Sequence, residues 1–299
     1  KTGSPVYNAI VWQDKRTSRY CEKLKTKKNI KLIKNITGLT IDSYFSATKI
    51  KWILKNIKKT KLLLNQNRLA FGTIDSWILW KLTNGNSHFT DVTNASRTML
   101  FDIRKMEWSS KLLKVFKIPR KILPEIKENV YEFGITNKFG SKIKINGIAG
   151  DQQSSLIGQA CLKKGMSKST FGTGCFFLMN IGNKIIYSKN NLLTSIAYKI
   201  NGKTTYCLEG SIFDAGTAIE WLKDELKIVS SKKEIKIISK KTKKNKIYFV
   251  PAFNGLGAPY WNRNARGAIY GINRNTNKFD IINATIESIG FQTKDLLNL

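Results

Sequence analysis

The stretch IKINGIAGDQQSSLIGQAC, Ile143 to Cys161, decides how this chain is read. Ile143 to Ala149 is apolar and β-branched and reads as a strand. Gln152 to Cys161 reads as the helix that follows it. Between them, two glycines, Gly147 and Gly150, bring the chain to Asp151, which is followed by Gln152 and Gln153. An aspartate presented at a glycine-flanked strand end suits a general base or a magnesium-facing group. The adjacent amides suit hydrogen bonds to a hydroxylated ligand. A second reading stays open, in which Asp151 caps the helix and does nothing else.

Working outward, strand-like runs separated by glycines dominate the downstream side: Ser167 to Phe171, Cys175 to Ile181, Leu193 to Ile200 and Thr204 to Leu208. An amphipathic helix is expected over Ala215 to Leu226, and a Lys-rich helix or loop runs on to Lys246. A short strand at Ile247 to Val250, a Gly/Pro loop at Phe253 to Trp261 and a long helix over Asp280 to Leu297 complete that side. Upstream, Val6 to Trp12 reads as a buried strand, and Arg16 to Lys34 as a basic amphipathic stretch. Tyr44 to Asn56 and Phe71 to Leu82 read as helices, the latter with Asp75 as its cap. Ile118-Pro119 and Leu123-Pro124 mark a loop region. Strands alternating with helices of this length indicate an α/β architecture. The change in texture near Ile145 divides the chain into two domains, residues 1–144 and 145–299.

Two further loops invite a chemical reading. Thr170 to Phe176, TFGTGCF, sets a threonine between glycines, a shape that can aim backbone N–H groups at a phosphate. Taken alone, a tight hairpin without a ligand fits it better, since Gly-X-Gly is a weak signal. Asn254 to Trp261, NGLGAPYW, suits either a ligand cleft or packing between domains. The one histidine, His88, has no serine and acid partners in view and reads as structural.

The 299 residues suffice for two domains with sizeable cores, and 41% hydrophobic with 24% charged is a soluble globular profile. Four cysteines, Cys21, Cys161, Cys175 and Cys207, form no CxxC pair, which excludes a zinc knuckle or dithiol motif and fits a reducing cytoplasm. No run is long enough for a membrane helix, and Lys1 to Tyr7 lack a signal-peptide core. A first residue other than Met reads as a piece of something longer. The net charge of +32 would suit a nucleic-acid binder. Yet lysine rather than arginine dominates, and the charge is spread through most helical stretches alongside Asn and Ile. Base and phosphate forks favour Arg, so the charge reads as compositional drift of an AT-rich genome, with no specific nucleic-acid partner and no membrane partner.

Seven motifs in order carry a family resemblance: VYNAIVWQDKRT (Val6 to Thr17), YFSATKIKWILKN (Tyr44 to Asn56), FGTIDSWILWKLT (Phe71 to Thr83), TDVTNASRTMLFDI (Thr90 to Ile103), GIAGDQQ, TFGTGCF and GAIYGINRNTNKFDIINATIE (Gly267 to Glu287). Along its whole length the chain resembles the glycerol kinases of the FGGY carbohydrate kinase family. The resemblance implies an actin-like, ribonuclease-H-like ATPase fold, with two α/β domains around a cleft where ATP and glycerol meet. It implies transfer of the γ-phosphoryl group to glycerol, giving sn-glycerol 3-phosphate in glycerol catabolism, with Mg2+ on the phosphates. Asp151 matches the catalytic aspartate and is a candidate magnesium contact. Tyr44, Asp151 and Gln152 match polar substrate contacts, and Trp12 and Phe176 match apolar walls. Thr173 and Gly216 match nucleotide contacts. Glu220 stands where bacterial members usually carry Gln, setting a negative charge near the nucleotide. A homodimer or homotetramer in the cytoplasm is the family-level expectation.

The departures are equally specific. The family's phosphate loop and an Arg-Glu pair for glycerol would precede Lys1, and its adenine-holding segment would follow Leu299. The loop that binds a sugar bisphosphate regulator is shortened around Phe139 to Lys144. The chain is therefore expected to be a central fragment, inactive by itself. The rival readings are a kinase for another polyol or sugar, a basic RNA- or anion-binding protein, and an inert remnant.

Overall fold

The structure, a computed structural model, describes residues 2–231, 234–235 and 247–299. The Lys-rich helix or loop expected up to Lys246 falls largely outside the described residues. The chain forms two compact units. The first comprises Lys1–Met166, Met179–Tyr187 and Leu193–Leu208, and the second Ser167–Leu178, Ser188–Leu192 and Glu209–Leu299.

Helices open the chain: α1 (Ser18–Leu24), α2 (Lys27–Thr37), α3 (Ser46–Asn56), α4 (Lys58–Asn65) and α5 (Ile74–Leu82). There follow β1 (Phe89–Asp91), α6 (Val92–Ser96), β2 (Phe101–Asp102), β3 (Glu107–Trp108), α7 (Ser110–Phe116), β4 (Glu125–Lys127), β5 (Val130–Thr136), β6 (Ile143–Gly147) and α8 (Asp151–Gly158). The remainder is β7 (Ser167–Phe171), β8 (Cys175–Gly182), β9 (Leu193–Ile200), β10 (Lys203–Ile212), α9 (Gly216–Asp224), β11 (Tyr248–Val250), β12 (Ala268–Tyr270) and α10 (Lys278–Leu297). Strands β7, β8, β10 and β9 lie side by side in that order. β1 pairs in parallel with β4, Phe89 opposite Glu125. β5 and β6 run antiparallel with an irregularity between Val130 and Gly134.

Local chemistry explains the element ends. The basic stretch from Arg16 is cut in two because the Thr26 hydroxyl accepts from Asn29 N–H and starts a second helix. That helix stops at Gly38, whose φ of 72° is left-handed. A Cβ there would lie 2.2 Å from the Thr194 carbonyl oxygen, so only glycine fits. At α10, the Asn277 side chain accepts from Phe279 N–H while Asp280 reaches back to Asn277 N–H, a reciprocal cap.

Two expectations are corrected. Val6 to Trp12 is not a strand. Among the described residues it joins none of the sheets, and an apolar run without ladder hydrogen bonds is not a strand. It is held instead by aromatic contacts: Tyr7 lies 5.4 Å from the Trp52 ring, and Arg16 stands over both rings while donating to the Tyr7 hydroxyl. Asp75 does not cap α5. The cap residue is Thr73, and the Asp75 carboxylate, already inside the first turn, accepts from the Thr90 hydroxyl at 2.7 Å.

In the first unit, Phe45, Phe101, Phe116, Phe133 and Ile33 are fully buried. In the second, Ala218, Ile247, Phe249 and Ala284 form a core capped by Trp221, whose ring stacks on Phe249 at 5.5 Å. His88 is structural: its Nε2 sits 2.7 Å from the Phe71 carbonyl oxygen. All four cysteines are free and buried, and burial pushes the Cys21 thiol up to about 12.

Candidate active site

In the first unit, Asp151 is the first residue of α8, and the cap residue is Gly150. The carboxylate is therefore not the cap that one reading allowed. It lies exposed, accepting from the Gln152 backbone N–H at 2.8 Å and from the Gln152 amide at 3.3 Å. An aspartate in the first helical turn stands at the positive end of the helix dipole. Gln152 is half-buried beside it.

Trp12 and Tyr44 form an aromatic corner in the same unit, ring centroids 5.6 Å apart at 77°. Tyr44 is fixed from several sides. Its backbone N–H donates to Asp42 at 2.7 Å, and its ring meets Phe45 edge-on at 5.1 Å. The Arg97 guanidinium stands 5.6 Å over the Tyr44 ring, and one of its nitrogens donates to the Ser195 hydroxyl at 3.3 Å. Arg97 escaped the sequence reading as a site residue. The only signal for it was the string TNASRT in a motif quoted for resemblance.

Behind Asp151 lies a buried polar group that the sequence reading also missed. Asp91, fully buried, accepts from Thr93 N–H, the Thr93 hydroxyl, Asn94 N–H, the Asn94 amide and the Asn129 amide. Burial pushes the Asp91 carboxyl up to about 6, against the pull of these donors.

In the second unit, Thr173 is exposed at the tip of the loop between β7 and β8. The loop closes on itself, Gly172 N–H donating to the Gly174 carbonyl at 2.8 Å. It is also clasped to the start of α9. Gly216 N–H donates to the Gly172 carbonyl at 2.9 Å, and Ala215 and Thr217 N–H both donate to the Thr173 carbonyl, at 3.0 and 3.2 Å. The first N–H groups of α9 are thus consumed by the loop. A loop tip of this kind can present an N–H and a hydroxyl to a phosphate. Asp214, just ahead of α9, is held by the backbone and side-chain N–H groups of Asn254, both at 2.8 Å. Phe176 is half-buried on β8, and Glu220 is exposed one turn into α9. Among the described residues no group of three His, Cys, Asp or Glu side chains stands ready to hold a metal ion. No described helix is long and apolar enough to cross a membrane.

The predicted residues therefore fall into two sets. Trp12, Tyr44, Asp151 and Gln152 belong to the first unit, and Thr173, Phe176, Gly216 and Glu220 to the second. Within them, direct contact joins Trp12 with Tyr44 and Asp151 with Gln152, while Gly216 N–H bonds to the Gly172 carbonyl, next to Thr173.

Comparison with known proteins gives a consistent result. The N-terminal domain profile of the FGGY family of carbohydrate kinases matches residues 1–158, and its C-terminal domain profile matches residues 168–298. The chain is 52% identical to a glycerol kinase of Fusobacterium nucleatum and 54% identical to one of Petrotoga mobilis, over 99% of its length in both cases. It spans 61% and 60% of those two relatives. Among solved structures, the glycerol kinase of Plasmodium falciparum with ADP matches with a TM-score of 0.86 at 41% identity, over 99% of this chain and 60% of that one. A xylulose kinase of Lactobacillus acidophilus matches with a TM-score of 0.80 at 23% identity, over 98% of this chain and 59% of that one, which shows the shared fold alone.

Proposed function

This chain belongs to the FGGY family of carbohydrate kinases, with their actin-like, two-domain α/β fold, and we propose that it carries the central part of a glycerol kinase. The reaction is ATP-dependent phosphorylation of glycerol to sn-glycerol 3-phosphate. The observation that carries the choice of substrate is the graded identity: 52–54% to bacterial glycerol kinases and 41% to that of Plasmodium falciparum, against 23% to a xylulose kinase of the same fold.

In this reading Asp151 accepts the proton of the glycerol hydroxyl as that oxygen bonds to the γ-phosphorus. The bond from the γ-phosphorus to the bridging oxygen breaks, and ADP leaves with the electron pair. Phosphoryl transfer of this type is mostly positioning and charge stabilisation. Tyr44 and Gln152 hydrogen-bond the other hydroxyls, while Trp12 and Phe176 hold the carbon skeleton and shut out longer sugars. Thr173 supplies donors to the nucleotide phosphates, and Gly216 lets the loop lie close enough to α9 to present them. Glu220 adds a negative charge on the nucleotide side. The exposed carboxylate of Asp151 is the residue that would hold a magnesium ion, which would neutralise charge on the phosphates. Magnesium needs one or two carboxylates when phosphates and waters complete its shell. The protein is taken to work in the cytoplasm as a homodimer or homotetramer.

Because the chain spans about 60% of these relatives, it is expected not to turn over by itself. The test compares this chain with the same chain completed by the flanking segments of the Petrotoga mobilis relative, each with Asp151→Asn. The completed protein should phosphorylate glycerol, and the Asn variant should lose roughly 100- to 10,000-fold in kcat. A completed protein that folds but stays silent with glycerol and other polyols would replace this reading with that of an inert remnant.

A further inference from the structure

The carboxylate of Asp151 leans on nothing but its neighbour Gln152 among the described residues. Its place is therefore set by the backbone that delivers it, Ile148 to Gly150. That backbone is tied to two buried side chains from distant parts of the first unit. Gly150 N–H donates to the Thr93 hydroxyl oxygen at 2.8 Å, a link across 57 residues. The Asn129 amide donates to the Ile148 carbonyl at 2.9 Å, and Ile148 N–H donates to the Asn129 carbonyl at 3.0 Å. Thr93 and Asn129 converge on one acceptor, the Asp91 carboxylate, which takes the Thr93 hydroxyl proton and, at 2.7 Å, an Asn129 amide proton. The directions leave no ambiguity: the Thr93 hydroxyl has one proton, and Asp91 takes it, so toward Gly150 the oxygen can only accept. Capping α6 requires no more than the Thr93 and Asn94 N–H groups. The bonds to Gly150 and Ile148 lie outside that need.

A third restraint closes the set. Gly150 is buried, and a Cβ there would stand 2.6 Å from Oε1 of Gln153, itself 2% exposed. The backbone before Asp151 is thus gripped by Thr93 and Asn129 and flanked at Gly150 by the buried Gln153.

We infer that Thr93, oriented by Asp91 and seconded by Asn129, is a positioning residue that sets where Asp151 stands through the Gly150 N–H. This rests on the reading of Asp151 as the catalytic base. A hydroxyl acting through a backbone amide governs geometry rather than affinity, and a displacement of about 1 Å can cost roughly 100-fold in rate.

The first test uses this chain unaltered. In hydrogen exchange followed by NMR, the Gly150 amide should be protected at least about 100-fold relative to an unstructured amide, as a buried and bonded N–H is. An unprotected Gly150 amide overturns the proposal without any variant. The second uses the chain completed by the flanking segments of the Petrotoga mobilis relative. Thr93→Val keeps the side-chain shape and removes the acceptor. It should lower kcat by roughly 10- to 100-fold while KM for glycerol and for ATP changes less than about threefold. Thr93→Ser restores the hydroxyl and should keep kcat within about threefold of the parent. Equal losses in Val and Ser would mean that the methyl group's packing matters and would overturn the inference, as would a Val variant with parental kcat. Asp151→Asn separates the two levels. If it is inactive while Thr93→Val is not, only the positioning role falls. If it retains activity, or if the unaltered completed protein is silent, the reading of Asp151 falls and this one with it.

Discussion

Gly216→Ala is a sharp test of the clasp between the β7–β8 loop and α9. A Cβ on Gly216 would stand 2.3 Å from the Gly172 carbonyl oxygen and 3.1 Å from its carbonyl carbon. Carbon and carbonyl oxygen rarely approach closer than about 3.3 Å, so the loop must withdraw by about 1 Å. The obstacle is backbone, and no side chain can swing aside. Withdrawal by that distance takes the bonds from Ala215, Gly216 and Thr217, now 3.0, 2.9 and 3.2 Å, beyond hydrogen-bond range. Three such bonds contribute about 3 kcal/mol. Alanine returns about 1 kcal/mol over glycine inside a helix. The net expectation is a loss of about 2 kcal/mol. Urea denaturation of this chain, followed by far-UV circular dichroism, measures it. Gly290→Ala is the matched control: it lies exposed in α10 with nothing within 4 Å of the new Cβ. It should gain up to about 1 kcal/mol. If Gly216→Ala is as stable as the parent, or behaves like Gly290→Ala, the clasp does not hold the loop and the reasoning fails.

Other expectations follow from the same geometry. Phe133→Ala, which empties the centre of the Phe89, Tyr131 and Phe133 cluster, should lose about 3–5 kcal/mol in the same assay. Asp91 should shape the pH dependence of stability. Its folded value of about 6 lies above the ordinary 3.8, so its contribution is complete below pH 3.8 and disappears as pH rises to 6. That difference is worth about 3 kcal/mol, and urea midpoints at pH 4 to 7 should show it in the parent and not in Asp91→Asn. Gly38→Ala, strained by its positive φ and by the Thr194 carbonyl, should cost more than about 1 kcal/mol. Binding to polyanions such as heparin should fall steeply and linearly in log–log plots against salt, without sequence preference when nucleic acids are used. A preferred sequence would revive the nucleic-acid reading of the +32 charge.

Elements with strong local signals were legible from sequence. Ser167–Phe171 and Leu193–Ile200 form strands with the expected bounds, because each run stops at glycines or turn residues. Glycines ahead of Asp151 marked its presentation at a helix start. What sequence hid is long-range. Nothing near Thr93 announces that its hydroxyl meets Gly150, since the bond depends on how α6 and α8 come together rather than on any local period. Val6 to Trp12 was misread for the same reason. An apolar run specifies a strand only where a neighbour offers a ladder, and here aromatic and cationic contacts to Trp52 and Arg16 take its place. Asp75 was misassigned because a capping residue and a first-turn acid look alike in sequence, and only Thr90 distinguishes them.

The four buried thiols turn the protein into its own unfolding meter. A thiol-alkylating reagent attacks only the thiolate, and burial raises the thiol pKa of Cys21 and Cys175 in the folded chain. Labelling therefore waits for opening, and its rate divided by that of an exposed thiol gives an opening free energy without denaturant. Cys21, Cys161 and Cys207 report on the first unit and Cys175 on the second. Mass spectrometry of the alkylated peptides would thus time the loosening of each unit in a single sample, with no engineered probe.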